Sequence, residues 1–180
     1  MIAYTIGHST RSIEDLIVAL KAASVTAVAD IRRFPRSRRH PHFNSENLAS
    51  ALNDAGIAYR HFPGLGGRRS ARGDGTPSHN LLWREPAFRN FADYAETLEF
   101  RAAFDELKAL AAQHPTAILC AEAVWWRCHR RIVADYLIAA GFSVEHIFDA
   151  EKREPAKLTP GAEPHPDGTV GYAGSEPLLL

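Results

Sequence analysis

Short apolar runs alternate along the chain with stretches whose apolar residues recur at helical spacing. Runs of about four to eight apolar and β-branched residues are typical of strands, whereas the wider spacing is typical of amphipathic helices. Five such runs occur, at residues 2–7, 26–31, 57–62, 116–120 and 143–148. Because strands that alternate with helices indicate βαβ units, the sequence predicts an α/β fold with a mostly parallel sheet of about five strands and helices on both faces.

The helical stretches lie between these runs and carry recognisable end signals. They span residues 13–23, 44–55, 86–113 and 127–140, and the third fits either one long helix or two helices that meet near residues 97–100. Ser12 is an N-cap with Asp15 three residues later, a pair that supplies acceptors for the free amide groups of a first turn. Gly56 follows the second helix, where a left-handed residue ends many helices.

Two segments show neither pattern. Residues 63–85 contain five glycines and one apolar pair, which predicts a long loop and a candidate lid, since compact domains usually keep long loops for function. Residues 151–180 contain five prolines and four glycines, and we expect an extended C-terminal tail that packs on the domain formed by residues 1–150. A second domain is not expected.

The composition is that of an ordinary globular protein. The chain has 180 residues, 46% of them hydrophobic and 23% charged, which suits one domain and argues against disorder. No run approaches the roughly 18–20 apolar residues that span a bilayer, and no basic segment followed by an apolar one opens the chain. We therefore expect a cytoplasmic protein without a membrane partner, whose two cysteines, Cys120 and Cys128, stay reduced.

Charge is unevenly distributed along the chain, although the formal net charge is zero. Residues 30–90 contain 11 arginines against 5 acidic residues, so the rest of the chain carries 10 basic against 16 acidic residues. This basic middle segment predicts a locally bound anionic ligand, whereas a general nucleic-acid coat would raise the charge of the whole domain.

Polar side chains follow the ends of four predicted strands. In open α/β sheets ligands bind beyond the carboxyl ends of the strands, so we expect these side chains to meet at one rim. Glycines in such a rim let the backbone approach a ligand closely. The arginines of residues 32–39 and 68–72 either grip phosphate groups or form a solvated face. The candidate substrate-binding residues are His8, Ser9, Asp30, Arg32, Arg38, Gly66, Gly67 and Arg130.

The segment from Cys120 to Arg130 has the highest density of chemically active side chains. It is predicted to run from the fourth strand into the first turn of a helix, where free amide groups and the helix dipole favour anions and lower the pKa of a cysteine. The candidate catalytic residues are Cys120, Glu122, Cys128 and His129. Cys128 is the better placed thiolate, and His129 is a proton carrier. Glu122 is a general base whose carboxylate is expected to pair with an arginine.

Other roles for the same residues stay open. Cys120 at the end of an apolar strand is often only a small buried hydrophobe, and Cys128 suits a structural or a catalytic role equally. Cys120, Cys128 and His129 carry donor atoms that zinc prefers. However, the eight-residue separation of the cysteines is not the short paired spacing of structural zinc sites, and a fourth ligand is missing. No metal is therefore predicted, and the cofactor stays open.

Several motifs of the chain occur together in a known family. They are Thr5-Ile-Gly-His-Ser-Thr10, Asp30-Ile-Arg32 with Pro35-Arg-Ser-Arg38, Phe43-Asn44, Tyr59-Arg-His61 with Leu65-Gly-Gly67, Cys120-Ala-Glu122 and Cys128-His-Arg130. Through these motifs the chain resembles the domain of unknown function 488 family over most of residues 2–150. The resemblance implies that the motif positions line a pocket, and that His165 and Tyr172 of the tail pack over the domain.

The residue pattern supports three functional hypotheses. The leading one is an enzyme, a cysteine- or glutamate-dependent hydrolase or transferase, that acts on a small anionic, nucleotide-like or phosphorylated substrate. The second is a nucleic-acid or nucleotide binding module without catalysis. The third is a metal-binding or thiol-redox protein.

Overall fold

The computed structural model describes residues 1–174. Within this range six strands form one sheet at the centre of the molecule. The strands are β1 (Ile2–Gly7), β2 (Ala27–Asp30), β3 (Ala58–His61), β4 (Thr116–Cys120), β5 (Ser143–Ile147) and β6 (Arg153–Pro155). Their order across the sheet is β3-β2-β4-β1-β5-β6, and each neighbouring pair is parallel except β5 and β6. The predicted mostly parallel α/β sheet is confirmed, with one strand more than expected.

In the described part of the chain, five α-helices cover both faces of the sheet. They are α1 (Ile13–Ala22), α2 (Ser45–Asp54), α3 (Pro86–Ala95), α4 (Leu98–Gln113) and α5 (Arg130–Ala139). Helices α1 and α2 pack on one face, and α3, α4 and α5 pack on the other. Successive strand residues point to opposite faces of the sheet. In β4, Ala117 and Leu119 therefore pack in the core beneath α1 and α2, whereas Ile118 and Cys120 pack in the core beneath α3, α4 and α5. The prediction of helices on both faces is confirmed.

Side-chain caps begin two of the helices. The hydroxyl of Ser12 accepts a hydrogen bond from the Asp15 amide at 3.0 Å, as the sequence predicted. The hydroxyl of Thr97 accepts one from the Phe100 amide at 3.3 Å and begins α4, so residues 86–113 form two helices. Among residues 1–174, no helix is both long and apolar enough to cross a membrane.

The segment before α5 is not α-helical, although the sequence predicted a helix from residue 127. A short 3-10 turn over Trp125–Arg127 precedes it, and Cys128 then has extended backbone, with φ −133° and ψ 143°. The Trp125 ring stacks on His146 with 4.3 Å between the ring centroids, which anchors this turn against β5. Cys128 therefore lies before the helix and not in its first turn.

The chain beyond β5 packs on the domain. Strand β6 extends the sheet, and β7 (Glu163–Pro164) and β8 (Val170–Gly171) form an antiparallel pair. Tyr172 is buried, and its hydroxyl donates a hydrogen bond to Asp135 at 2.9 Å, whereas His165 is exposed. Strand β6 was not expected because three residues are too few to show an alternating pattern. Residues 175–180 of the predicted tail lie outside the described residues.

The carboxyl ends of β1 and β4 are tied together beyond the sheet. The His8 amide donates a hydrogen bond to the carbonyl of Cys120 at 2.9 Å, and the Ser9 amide donates one to the carbonyl of Ala121 at the same distance. The loop after β4 passes directly over Gly7, where a Cβ atom would lie 1.8 Å from the carbonyl oxygen of Glu122. Because only glycine leaves room for this crossing, the polar residues that follow the two strands are held side by side.

Candidate functional site

A cavity of about 810 Å³ opens where β1, β2 and β4 end. Ligand pockets commonly measure about 300–1,000 Å³, so this one is large enough for a metabolite. Its wall carries six arginines and, among the described residues, one carboxylate, which favours an anionic ligand. The lining residues are His8, Ser9, Thr10, Arg32, Arg33, Phe34, Arg36, Ser37, Arg39, His40, Gly67, Arg68, Ala87, Phe88, Cys120, Ala121, Glu122, Ala123, Arg127, Cys128 and His129.

Two thiols and one imidazole lie together on the floor of this cavity. The Nδ1 atom of His129 is 3.8 Å from Sγ of Cys120 and 3.7 Å from Sγ of Cys128. Cys120 ends β4 and Cys128 follows the 3-10 turn, and their exposed fractions are only 6% and 2%. Both cysteines are free thiols. The fold thus joins the two cysteine motifs into one cluster.

The backbone carbonyl of Ile31 sets the orientation of the His129 ring. The Nε2 atom lies 3.1 Å from that oxygen, which can only accept, so Nε2 carries the hydrogen and donates it. In its neutral form the ring would present the lone pair of Nδ1 to both sulfur atoms. Gly67 packs against the ring, because a Cβ atom there would lie 2.8 Å from Nδ1, and the Phe91 ring contacts it at 4.9 Å between centroids. These contacts hold the imidazole beside the two sulfur atoms.

The two thiols differ in acidity. A hydrogen bond from the Cys128 thiol, together with the nearby His129 and Arg130 side chains, holds the pKa of Cys120 well below its usual value despite burial. Burial and the neighbouring Cys120 sulfur raise the pKa of Cys128. The sequence favoured Cys128 as the thiolate because it was expected in a first helical turn. The structure favours Cys120 instead, since Cys128 lies outside α5 and is the more enclosed thiol.

Arg130 lies behind the cavity wall and not on it. Its Nη1 donates to the carbonyl of Glu122 at 2.5 Å, and its Nη2 donates to the carbonyl of Ala123 at 2.8 Å. The guanidinium is 2% exposed because the first turn of α5 turns it towards β1, where these loop carbonyls are its acceptors. The sequence predicted that Arg130 binds the substrate. Its position suits a different task, which is to hold the loop after β4 and to lower the pKa of Cys120.

Arg32 and Asp30 form a buried ion pair at the end of β2. The Nη2 atom of Arg32 lies 2.5 Å from Oδ2 of Asp30, and its Nε donates to the same carboxylate at 2.9 Å. Its Nη1 donates to the carbonyl of Phe43 at 2.8 Å and to Nε2 of His8 at 3.2 Å. Most donors of Arg32 are thus already used, and Asp30 lies beneath it, outside the cavity wall.

Burial and the neighbouring Arg32 charge keep His8 neutral. Together, burial first and the charge of Arg32 second, they lower its pKa to about 4. Its Nδ1 donates to the carbonyl of Ser9 at 3.0 Å, and its ring stacks on Phe43 at 4.1 Å. His8 therefore offers the cavity an uncharged, rigidly placed imidazole.

Glu122 lines the cavity with an exposed side chain. Within residues 1–174 no ion pair involves its carboxylate. The predicted pairing of Glu122 with an arginine is therefore wrong. The chain turns outward directly after β4, so the carboxylate stays in water and needs no buried partner.

The remaining predicted residues divide between the wall and its surroundings. Ser9 and Gly67 line the cavity. Gly66 packs on the backbone of Arg33, where a Cβ atom would lie 2.6 Å from its Cα, and Arg38 is exposed outside the cavity. The positive charge comes mainly from other arginines, namely Arg33, Arg36, Arg39, Arg68 and Arg127.

Some wall residues were not among the predicted ones. Arg127 had a usable signal, since it is the basic neighbour of Cys128 in the sequence. Phe88 had none, because it lies in α3, whose approach to the cavity depends on how the long loop before it crosses the sheet edge. Thr10 is exposed and Ser37 is half-buried, and nothing in the sequence around them distinguishes them from other hydroxyl residues of the chain.

Two wall residues have left-handed backbone although neither is glycine. The φ angle is 49° at Ser9 and 58° at Arg68. Such conformations cost about 1–3 kcal/mol each and persist only where surrounding contacts enforce them, most often at functional sites. Here the Ser9 amide is bonded to the Ala121 carbonyl at 2.9 Å, and the Arg68 carbonyl accepts from Arg33 Nη1 at 2.6 Å. The strain supports this cavity as the functional site.

Comparison with known proteins identifies one family. The family model described as "Domain of unknown function DUF488" matches residues 12–137, which include the thiol cluster and the arginine loops, whereas His8 and Ser9 precede the match. No curated protein and no solved structure matches the chain. Since the match covers more than half of the sequence, the chain belongs to the domain of unknown function DUF488 family.

Proposed function

We propose that this protein is an enzyme that acts on a small anionic substrate, phosphorylated or nucleotide-like, with Cys120 as the nucleophile. The observation that carries the proposal is the position of the Cys120 sulfur and His129 Nδ1, 3.8 Å apart, on the floor of an arginine-lined cavity. A thiol beside a histidine supplies a nucleophile, and an electropositive cavity concentrates an anion next to it. The reaction class is hydrolysis or group transfer.

In the first half of this reaction His129 takes the proton of the Cys120 thiol at Nδ1. Its Nε2 keeps its hydrogen bond to the Ile31 carbonyl, which stabilises the imidazolium that forms. The thiolate then attacks the electrophilic phosphorus or carbonyl carbon of the substrate, so that a bond to sulfur forms. The leaving group departs with the electrons of the broken bond and takes the proton from His129.

In the second half the covalent intermediate is released. The Glu122 carboxylate, which faces the cavity, removes a proton from water or from an acceptor hydroxyl, whose oxygen displaces the sulfur. The Cys120 sulfur leaves as a thiolate, which accepts a hydrogen bond from the Cys128 thiol. The thiolate then regains a proton while Glu122 loses the one it took up, and this restores the starting thiol. Both thiols must stay reduced for this chemistry, so we place the enzyme in the cytoplasm.

Substrate recognition is assigned to the mouth of the cavity. Arg33, Arg36 and Arg39 supply positive charge on one side and Arg68 on another, while Arg32 is engaged with its own partners. Phe34 is 66% exposed and Phe88 also lines the wall, so both offer an apolar ring face. Arginines combined with aromatic faces suit a substrate that joins phosphate groups to a planar base.

The mechanism is tested with a panel of p-nitrophenyl phosphate, p-nitrophenyl carboxylate esters and nucleoside phosphates. On the best substrate, Cys120→Ser should lower turnover by roughly 10³-fold or more, and Glu122→Gln should lower it by about 10²-fold or more, with unchanged circular dichroism. Cys128→Ser keeps a hydrogen-bond donor beside Cys120 and should have the smallest effect. Turnover that survives both the Cys120 and the Glu122 replacement removes this mechanism.

A nucleic-acid binding module without catalysis is the second candidate function. It is favoured by two features of the positive surface: Arg38 is exposed outside the cavity, and at the cavity wall the Arg33 guanidinium lies 5.3 Å from the centre of the exposed Phe34 ring. Interleaved arginines and aromatic rings bind single strands through phosphate contacts and stacking. Oligonucleotide affinity should then fall steeply with salt, and binding that is indifferent to salt would exclude it.

A further inference from the structure

We propose that Cys120, Cys128 and His129 also form a binding site for one zinc ion. The two sulfur atoms and the Nδ1 atom all lie within 4.8 Å of one another. Thiolate sulfur and imidazole nitrogen are the donors that zinc prefers in proteins. The inference goes beyond the proposed function, because it needs neither a substrate nor a nucleophilic thiolate.

The distances already approach those of a tetrahedral ion. Zinc bonds of about 2.3 Å to sulfur and about 2.0–2.1 Å to nitrogen place neighbouring ligand atoms roughly 3.5–3.8 Å apart. The His129 Nδ1 atom is 3.8 Å from the Cys120 sulfur and 3.7 Å from the Cys128 sulfur. Shifts of a few tenths of an ångström would bring both sulfur–nitrogen distances to the tetrahedral values, and the two sulfur atoms lie within 4.8 Å of each other.

The surroundings of His129 have the arrangement of a metal ligand. A ligating histidine usually donates its second ring hydrogen to a carbonyl or carboxylate, which fixes the ring and directs the other nitrogen to the metal. The Ile31 carbonyl accepts that hydrogen from Nε2 at 3.1 Å, so Nδ1 is the free donor. Cys120 lies on a central strand, and the Cys128 amide is bonded to the Trp125 carbonyl at 3.1 Å. The ligands are thus positioned before any ion arrives.

The fourth coordination position is left to a small ligand. Among residues 1–174 no other histidine, cysteine or acidic side chain joins the three in a cluster. All three residues line the cavity, so water or an anionic group drawn in by the arginines can reach the ion. Three protein ligands with one open position are typical of catalytic rather than structural zinc. The wide spacing of the two cysteines in the sequence does not prevent this, because β4 and the 3-10 turn bring them together.

Zinc binding and nucleophilic attack compete for the Cys120 sulfur. A sulfur bound to zinc shares its electron density with the metal and is a weaker nucleophile, so the metal-loaded protein should form the covalent intermediate more slowly. This difference gives the inference a readout that does not require turnover, namely the accessibility of the thiols to alkylation.

The test uses the full chain, reduced and freed of metal, titrated with Co²⁺ as a spectroscopic substitute for Zn²⁺. One equivalent should produce a thiolate-to-cobalt charge-transfer band and the intense visible bands of tetrahedral cobalt, and Zn²⁺ should abolish both. Cys120→Ser and Cys128→Ser should each weaken binding by at least about 100-fold, and His129→Gln by at least about 10-fold. His114→Gln, at an exposed position after α4, is the matched control and should change nothing.

A second measurement on the unaltered protein covers the case in which a variant fails to fold. Stoichiometric Zn²⁺ should protect both cysteines from iodoacetamide, and a chelator should restore their alkylation. Alkylation that proceeds equally with and without Zn²⁺, or a cobalt spectrum without a charge-transfer band, overturns the metal site. Because no substrate is present, these results are independent of whether the proposed enzymatic activity exists.

Discussion

Asp30 and Arg32 form an ion pair that is almost completely shielded from solvent, with exposed side-chain fractions of 0% and 7%. The Tyr59 hydroxyl donates a further hydrogen bond to Asp30 at 2.7 Å. The pair lies directly beneath His8, and through it the end of β2 is connected to the wall of the cavity. Each charge is therefore acceptable in the interior only because the other is present.

Removing one partner of this pair should be strongly destabilising. Asp30→Asn leaves the Arg32 charge buried without its counter-ion, and the free energy of unfolding should fall by about 3–5 kcal/mol in urea titrations. Glu106→Gln is the matched control, because the ion pair of Glu106 with Arg60 is exposed and should contribute less than about 1 kcal/mol. Equal effects of the two substitutions would contradict the structural role given to Asp30.

Stability should decrease with acidification because of His146. Burial, together with the charges of Arg130 and Arg131, lowers its pKa to about 4, while its ring bonds to the Thr5 hydroxyl at 2.8 Å. The unfolded chain takes up this proton below about pH 6.5 and the folded chain does not, so stability is complete above pH 6.5 and is lost as the pH falls towards 4. Between pH 6.5 and 5 the loss from this group is about 2 kcal/mol.

The measurement is urea unfolding of the unaltered protein and of His146→Gln at pH 7 and pH 5. The variant should be less stable at pH 7 and should lose less stability on acidification. His8 shifts in the same direction and keeps part of the pH dependence in both proteins. Parallel pH profiles for the two proteins would show that His146 is not held neutral by the fold.

The position of His129 should depend on the absence of a side chain at residue 67. In Gly67→Ala the new Cβ atom would lie 2.8 Å from Nδ1, so the ring must shift from its present position beside the two sulfur atoms. We expect alkylation of Cys120 at neutral pH, followed by mass spectrometry, to slow by roughly 10-fold or more, because its proton acceptor is displaced. Gly73→Ala is the control, since nothing lies within 4 Å of a Cβ atom there. If Gly67→Ala and Gly73→Ala are alkylated at equal rates, Gly67 does not set the position of His129.

Two neighbouring arginines should contribute unequally to anion binding. Arg36 lines the cavity and Arg38 does not. In calorimetric titrations with pyrophosphate, Arg36→Gln should weaken binding by roughly 10-fold, the equivalent of one charge-assisted hydrogen bond, whereas Arg38→Gln should stay within about two-fold. If both substitutions weaken binding equally, the anion lies on the outer surface of the loop and not in the cavity.

Much of the fold could be predicted from the sequence because local physics decided it. The run at residues 116–120 is apolar at every position except its first, as a central strand covered on both faces requires. Ser12 and Gly56 mark helix ends in the structure as in the sequence, the latter with a φ angle of 78°. The short edge strand β6 escaped prediction, since its pairing with β5 comes from the neighbouring strand and not from its own residues.

The candidate site was only partly predictable for a different physical reason. Parallel strands present their carboxyl ends at one edge, so the meeting of His8, Cys120 and the arginine loops could be expected. The direction of each side chain could not be expected, because it depends on the residue at which the helix begins. Successive helical residues are rotated by about 100° around the axis, so an error of one residue changes the face on which a side chain lies. The start of α5 at Arg130 places that guanidinium behind the wall and Cys128 outside the helix.

By itself the sequence determined the α/β fold, the family and the groups available for chemistry, because periodicity, capping and motifs are carried by neighbouring residues. Only the tertiary structure decided which thiol is the more acidic, which arginines face the cavity and which carbonyl orients His129. Those properties depend on burial and on distances between segments far apart in the chain, such as Ile31 and His129, and close packing sets these distances.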